Sequence, residues 1–348
     1  MSISHIALCD LSKITEEQFF LREFNLSLNY ESKDQEFDDS SNVIVSDNPK
    51  NWTRFLSSAP ENSILFILIG NETYEPWKYE IFNDIKSISR ALIYNPPRPC
   101  AYLTILKSLI GNLLDGGLIS TGRPGSVFRD FRTSQYTKRK LANIQMRYQY
   151  LELPQGYCNS FVTQLSLLSE PLANLLSRNQ SLYSEEFQIE LASHIKKIKD
   201  FSYLGQLGHH RRATCLRVAA RGHGVEIPSK VGFGGLEYDG DSTYLNNLLQ
   251  TKFPLVPPGA FNNYNHRYSE SLLTGGLPAI LAQNSLDPSS NKNWTRNLPF
   301  PAGHSFRFLM RELSKITESE FKELQNKAFK EDLARVVNAK DFLNSMLS

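Results

Sequence analysis

Cysteine is scarce in this chain of 348 residues, which has only four, at positions 9, 100, 158 and 215. They form no Cys-x-x-Cys pair and no cluster with histidine, so their spacing argues against a disulfide framework and a structural zinc site. The adjacent His209 and His210 have no third ligand at a fitting spacing. We therefore expect reduced thiols and no bound metal.

The chain also lacks an excess of either charge and any long apolar run. It has 38 Lys plus Arg against 36 Asp plus Glu, a balance that provides no overall field for nucleic acid. No apolar run approaches the ~18 residues that cross a bilayer, and the N-terminus has no basic segment leading into an apolar one. We expect a cytoplasmic protein without a nucleic-acid partner, and a peripheral contact with the inner face of the membrane stays open.

Short apolar runs alternate with helical spacing through both halves of the chain. The run at 63–69 is continuous, which is typical of a strand buried on both faces of a parallel sheet. Further strands are predicted at 5–9, 42–46, 91–94, 118–120, 148–151, 201–204, 225–227, 254–256 and 279–281. A polar helix over 184–199 separates two α/β patterns, and capping boxes at Thr15/Gln18 and Thr317/Glu320 begin two other helices. The fold class predicted is α/β with two doubly wound domains.

The segment 253–281 carries the clearest chemistry. A strand ends at Pro257-Pro258-Gly259, a polar loop follows, and a helix then places Arg267 and Glu270 on one face before Gly275 and Gly276 end it. Loops at the carboxyl ends of parallel strands are where such sheets bind ligands. A helix N-terminus with an arginine suits a diphosphate, and the carboxylate can accept hydrogen bonds from ribose hydroxyls.

A second turn suited to an anion lies upstream. Gly205 and the run His209-His-Arg-Arg212 follow a predicted strand and precede a helix. Alternative interpretations are an ordinary surface pair for Arg267 and Glu270, and a solvated helix start for the basic run. Two phosphate-suited turns in one domain favour a nucleotide site.

These residues resemble the exostosin-type glycosyltransferases over about 201–281. The resemblance is carried by Phe201-Ser-Tyr-Leu-Gly205 with Arg211-Arg212, by Ser242-Thr-Tyr244 with Lys252-Phe253, and by Arg267-x-x-Glu270-x-Leu272-x-x-Gly275-x-x-Pro278. It implies a GT-B enzyme whose C-terminal Rossmann-like domain binds a nucleotide sugar. The sequence departs from the family at Pro254, often cysteine there, and at Pro258, often basic. The donor site implied comprises Gly205, Arg211, Arg212, Gly259, Tyr264, Asn265, Arg267 and Glu270.

The resemblance also implies a division of the chain. An acceptor domain would span 1–190, a donor domain 191–320, and a terminal helix at 321–348 would pack back on the first domain. The co-substrate implied is a nucleotide-diphosphate sugar, with a UDP-sugar as the first choice. The acceptor implied is a glycan, either free or linked to a lipid. The setting expected is bacterial-type surface polysaccharide synthesis by an inverting, metal-independent enzyme.

Two carboxylates are candidates for the catalytic base. Asp130 follows the loop Thr121-Gly-Arg-Pro-Gly125 and lies between Arg129 and Arg132, and Asp10 follows the first predicted strand. A surface ion pair for Asp130 and a helix cap or turn for Asp10 are the alternatives. The basic stretch 132–140 has two interpretations, a surface that faces an anionic or lipid-borne acceptor and a solvated helix start.

Two other functions are alternatives to a glycosyltransferase. A non-catalytic nucleotide- or carbohydrate-binding protein on a degenerate GT-B scaffold fits the departures at Pro254 and Pro258. A dehydrogenase is disfavoured because no Gly-x-Gly-x-x-Gly follows the first strand.

Overall fold

A computed structural model describes the protein in twelve segments. They are residues 3–8, 16–27, 29–30, 41–46, 64–68, 90–94, 110, 149–153, 156–203, 243–256, 266–280 and 305–347. Within these segments no helix is both long enough and apolar enough to cross a membrane.

The larger of two described sheets has six strands, all parallel. They are β1 (Ile3–Leu8), β2 (Asn29–Tyr30), β3 (Ser41–Ser46), β4 (Ile64–Leu68), β5 (Arg90–Tyr94) and β6 (Gln149–Leu153), in the spatial order β2-β1-β3-β4-β5-β6. Five of the six match predicted apolar runs to within a few residues, because continuous β-branched and aliphatic runs are what a two-sided parallel sheet requires.

The smaller sheet has three parallel strands, β7 (Lys199–Ser202), β8 (Thr251–Val256) and β9 (Ala279–Ile280). Phe201 pairs in register with Phe253, and their rings stack with centroids 5.4 Å apart. Leu255 pairs with Ala279. Two parallel sheets joined with helices confirm the α/β class predicted from the sequence.

Eight helices are described. They are α1 (Glu17–Phe24), α2 (Asn159–Ser166), α3 (Glu170–Ser177), α4 (Glu185–Ala192), α5 (Thr243–Gln250), α6 (His266–Leu273), α7 (Phe306–Leu313) and α8 (Glu318–Leu347). The capping box at the start of α8 is confirmed, because Thr317 Oγ1 and N donate to Glu320 Oε2 at 2.7 and 2.8 Å. Thr15 of the other predicted box lies outside the described residues; the N-cap of α1 is Glu16, whose side chain makes no capping hydrogen bond.

The prediction of a polar helix over 184–199 extends too far at the C-terminal end. It starts as expected, with Ser184 Oγ accepting from Phe187 N at 3.3 Å, but α4 ends at Ala192. The backbone N–H groups of Lys196 and Ile198 instead donate to Leu249 and Gln250 O at the end of α5, at 3.2 and 2.9 Å. Distant carbonyls thus replace the helical hydrogen bonds that the local pattern favoured.

Two buried clusters stabilise the described parts, and α8 contributes to both. The first joins α1 to α2–α5 and is rich in aromatic side chains, with Phe19 and Phe161 fully buried. The second joins β7–β9 to α6 and α7. Phe321 and Ala328 of α8 belong to the second cluster, and Val336, Ala339 and Leu343 belong to the first. A helix of 30 residues is ~45 Å long, which lets it reach both.

Candidate functional site

Helix α6 carries the two predicted site residues that the structure describes, Arg267 and Glu270. It begins ten residues after β8 ends and is amphipathic, with Tyr268, Leu272 and Leu273 buried. It ends as predicted at two glycines. Gly275 has φ +72°, and the N–H groups of Gly275 and Gly276 donate to Leu272 and Ser271 O at 3.0 and 2.7 Å, which is a Schellman ending.

The Glu270 carboxylate lies in the interior, with 1% of the residue exposed. Its Oε1 accepts from the backbone N–H and the thiol of Cys158, at 3.2 and 3.1 Å. Its Oε2 accepts from the Tyr244 hydroxyl at 2.5 Å. Three donors from two distant parts of the chain therefore converge on this carboxylate and satisfy most of its acceptor capacity.

The two side-chain donors to Glu270 stay protonated at neutral pH. Burial raises the pKa of the Cys158 thiol well above its usual value, and the nearby Glu270 charge raises it further. Burial likewise raises the pKa of Tyr244, again with Glu270 as the next cause. A thiol and a phenol held in the neutral form are hydrogen-bond donors and not nucleophiles at this position.

Arg267 lies one turn before Glu270, and its guanidinium lies over an aromatic ring. Its guanidinium carbon is 5.4 Å from the centroid of the Tyr203 ring, within the range of a cation–π contact. Tyr203 directly follows β7 and is 1% exposed. The carboxyl end of β7 and the first turn of α6 therefore meet at this arginine.

The first turn of α6 also contacts the N-terminal part of the chain. His266 Nε2 lies 3.0 Å from Glu16 Oε1, and the Glu16 side chain is 5% exposed. Glu16 is the N-cap of α1, and the segment between β1 and Glu16 contains Asp10. Cys158, the partner of Glu270, lies five residues after β6. Both contacts come from chain segments that follow strands of the larger sheet.

The other predicted site residues lie outside the described residues. These are Asp10, Asp130, Gly205, Arg211, Arg212, Gly259, Tyr264 and Asn265. Within the described segments no group of three or more His, Cys, Asp or Glu side chains is arranged to hold a metal ion.

Sequence reasoning missed most of the partners of α6. Tyr203 and Tyr244 lie within the segments that resemble the exostosin type, but the pattern predicts no role for either residue. Nothing local pointed to Cys158 or Glu16, which are 112 and 250 residues away from their partners Glu270 and His266. No protein-family model and no curated protein matches the chain.

Proposed function

We propose that the protein is a glycosyltransferase of GT-B architecture that moves a sugar from a nucleotide-diphosphate sugar, with a UDP-sugar as first choice, to a glycan hydroxyl. The acceptor belongs to surface polysaccharide synthesis, and the enzyme works in the cytoplasm or at the inner face of the membrane. The proposal rests on one observation above all: α6 follows a parallel strand and carries Arg267 and Glu270 one turn apart. Open α/β sheets bind anionic ligands at helix N-termini that follow strands, which supports a nucleotide at this position.

Contacts between the first and the second half of the chain support a cleft between two domains. Glu16 and Cys158 follow strands of the larger sheet and both contact α6 of the smaller one. In parallel sheets, the segments after the strands form the ligand-binding edge. The packing of α8 on both buried clusters, the first of which includes α1 and α2, supports a terminal helix that returns to the N-terminal domain.

In this proposal, arginine side chains bind the diphosphate of the donor, and a carboxylate binds its ribose. Arg267, with Arg211 and Arg212, stabilises the leaving diphosphate by charge-assisted hydrogen bonds. Glu270 accepts from the ribose hydroxyls. Tyr244 is only partly buried and donates to Oε2, so a ribose hydroxyl would replace the Tyr244 hydroxyl there. Asp10 or Asp130 would deprotonate the acceptor, which requires no metal.

One observation favours a second candidate, a nucleotide- or carbohydrate-binding protein without catalysis. Glu270 already accepts three hydrogen bonds from the protein and has 1% exposure. A carboxylate that served only to hold α6 against Cys158 and Tyr244 would show the same contacts. A measured sugar transfer separates the two candidates, because only the enzyme consumes the donor.

The test measures binding of UDP, GDP, ADP and CDP by calorimetry, with the Glu270→Gln variant beside the wild type. One nucleotide is expected to bind, and loss of the charged acceptor is expected to weaken it about 10- to 100-fold. Glu323→Gln, at an exposed position of α8, serves as the matched control. Equal affinity in wild type and Glu270→Gln would contradict the ribose role, and no binding to the wild type would contradict the proposal.

A further inference from the structure

Arg267 needs a support that keeps its guanidinium in place. An arginine side chain has four rotatable bonds, and ordering it costs up to ~2 kcal/mol of rotamer entropy. A planar guanidinium stacked on an aromatic face loses that freedom before any ligand arrives, while its edge keeps the N–H groups that bind a phosphate.

Tyr203 provides such a face. Its ring centroid is 5.4 Å from the guanidinium carbon of Arg267, and at 1% exposure the ring itself has little room to move. It belongs to the second buried cluster, with Phe201 and Tyr268. Its chain position, directly after β7, is set by the parallel pairing of Phe201 with Phe253. The ring is thus fixed by the smaller sheet, whose strand β8 precedes α6 in the chain.

We propose that Tyr203 is a positioning residue of the donor site, which holds the Arg267 guanidinium so that its edge meets the diphosphate. This inference rests on the proposed function. It assigns to Tyr203 an effect on the phosphates alone, transmitted through Arg267. The residue makes no contact with the base or the ribose in this scheme.

The experiment compares a nucleoside diphosphate with the matching nucleoside. Dissociation constants of UDP and uridine, and of the GDP, ADP and CDP pairs, are measured for the wild type, Tyr203→Phe and Tyr203→Leu. Phenylalanine retains the aromatic face, and leucine removes it. We expect Tyr203→Leu to weaken the diphosphate about 3- to 30-fold with the nucleoside unchanged, and Tyr203→Phe to stay within about twofold of the wild type.

A cycle with Arg267 completes the test. If Tyr203 acts through Arg267, Tyr203→Leu has no further effect on diphosphate affinity in an Arg267→Ala background. Equal weakening of nucleoside and diphosphate by Tyr203→Leu, or additive effects in the cycle, would overturn the inference while the proposed function stands. A wild type that binds none of the four diphosphates would overturn both. Thermal unfolding of each variant sets a temperature at which all of them are folded.

Discussion

Replacement of Glu270 by alanine is expected to destabilise the protein strongly, because the buried carboxylate is the common acceptor for three donors. The variant leaves the Cys158 N–H without a partner, at a cost of about 1–3 kcal/mol. The Tyr244 hydroxyl is partly buried and loses less, and the Cys158 thiol is a weak donor. The sum is about 2–5 kcal/mol, a large part of the 5–15 kcal/mol that stabilises a typical domain.

Urea unfolding followed by circular dichroism measures this loss. Glu270→Gln is the matched variant, because it keeps the volume and one acceptor for the Cys158 amide, and we expect it to lose about 1–2 kcal/mol. Tyr244→Phe is expected to cost about 1 kcal/mol in the wild type and less than that beside Glu270→Ala, since its Glu270 acceptor is then already absent. This is also why nucleotide binding is better tested with glutamine than with alanine.

A Glu270→Ala variant within ~0.5 kcal/mol of the wild type would refute the reasoning, because changes of that size are typical of exposed positions. The result would mean that the carboxylate faces solvent and that the hydrogen bonds to Cys158 and Tyr244 do not form. The slope of the unfolding free energy against urea has to stay constant across the variants for the comparison to hold.

Two further predictions concern the segments around α6. Gly275→Ala is expected to lower the melting temperature by about 2–6 °C, because φ is +72° and an added Cβ lies 3.1 Å from Ile195 Cδ1; an unchanged melting temperature would contradict this ending of α6. Burial lowers the pKa of Lys197 from 10.5 to about 7, so between these values the unfolded chain binds the extra proton and stability rises with pH. The unfolding free energy of the wild type minus that of Lys197→Met should therefore increase from pH 7 to pH 10. Curves of the two unfolding free energies against pH that stay parallel would show that the amine is not buried.

The sequence predicted the elements whose signals are local. The run around Ile64–Leu68 is apolar throughout, and this alone identifies a strand of a two-sided parallel sheet. Gly275 and Gly276 mark the end of α6 because a left-handed backbone there excludes most other residues. Thr317 and Glu320 mark the start of α8 for an equally local reason, since the side chain of each accepts a hydrogen bond from the backbone N–H of the other.

The sequence was a poorer guide where distant parts of the chain compete for backbone groups. The helical spacing over 184–199 continues past Ala192, but Lys196 and Ile198 donate to the end of α5. Lys197 Nζ contributes to the same junction by donating to Leu248 and Thr274 O, both at 2.8 Å. Propensity is a weak preference, and such tertiary hydrogen bonds override it.

What the sequence determined by itself is the α/β alternation and the presence of Arg267 and Glu270 one turn apart on a helix after a strand, because strand periodicity, helix periodicity and glycine endings act over a few residues. What only the tertiary structure decided is the surroundings of those two side chains. Glu270 receives its donors from Cys158 and Tyr244, and the Arg267 guanidinium lies over the ring of Tyr203. Such contacts depend on how the two sheets and α6 meet in space, and no short-range pattern encodes that.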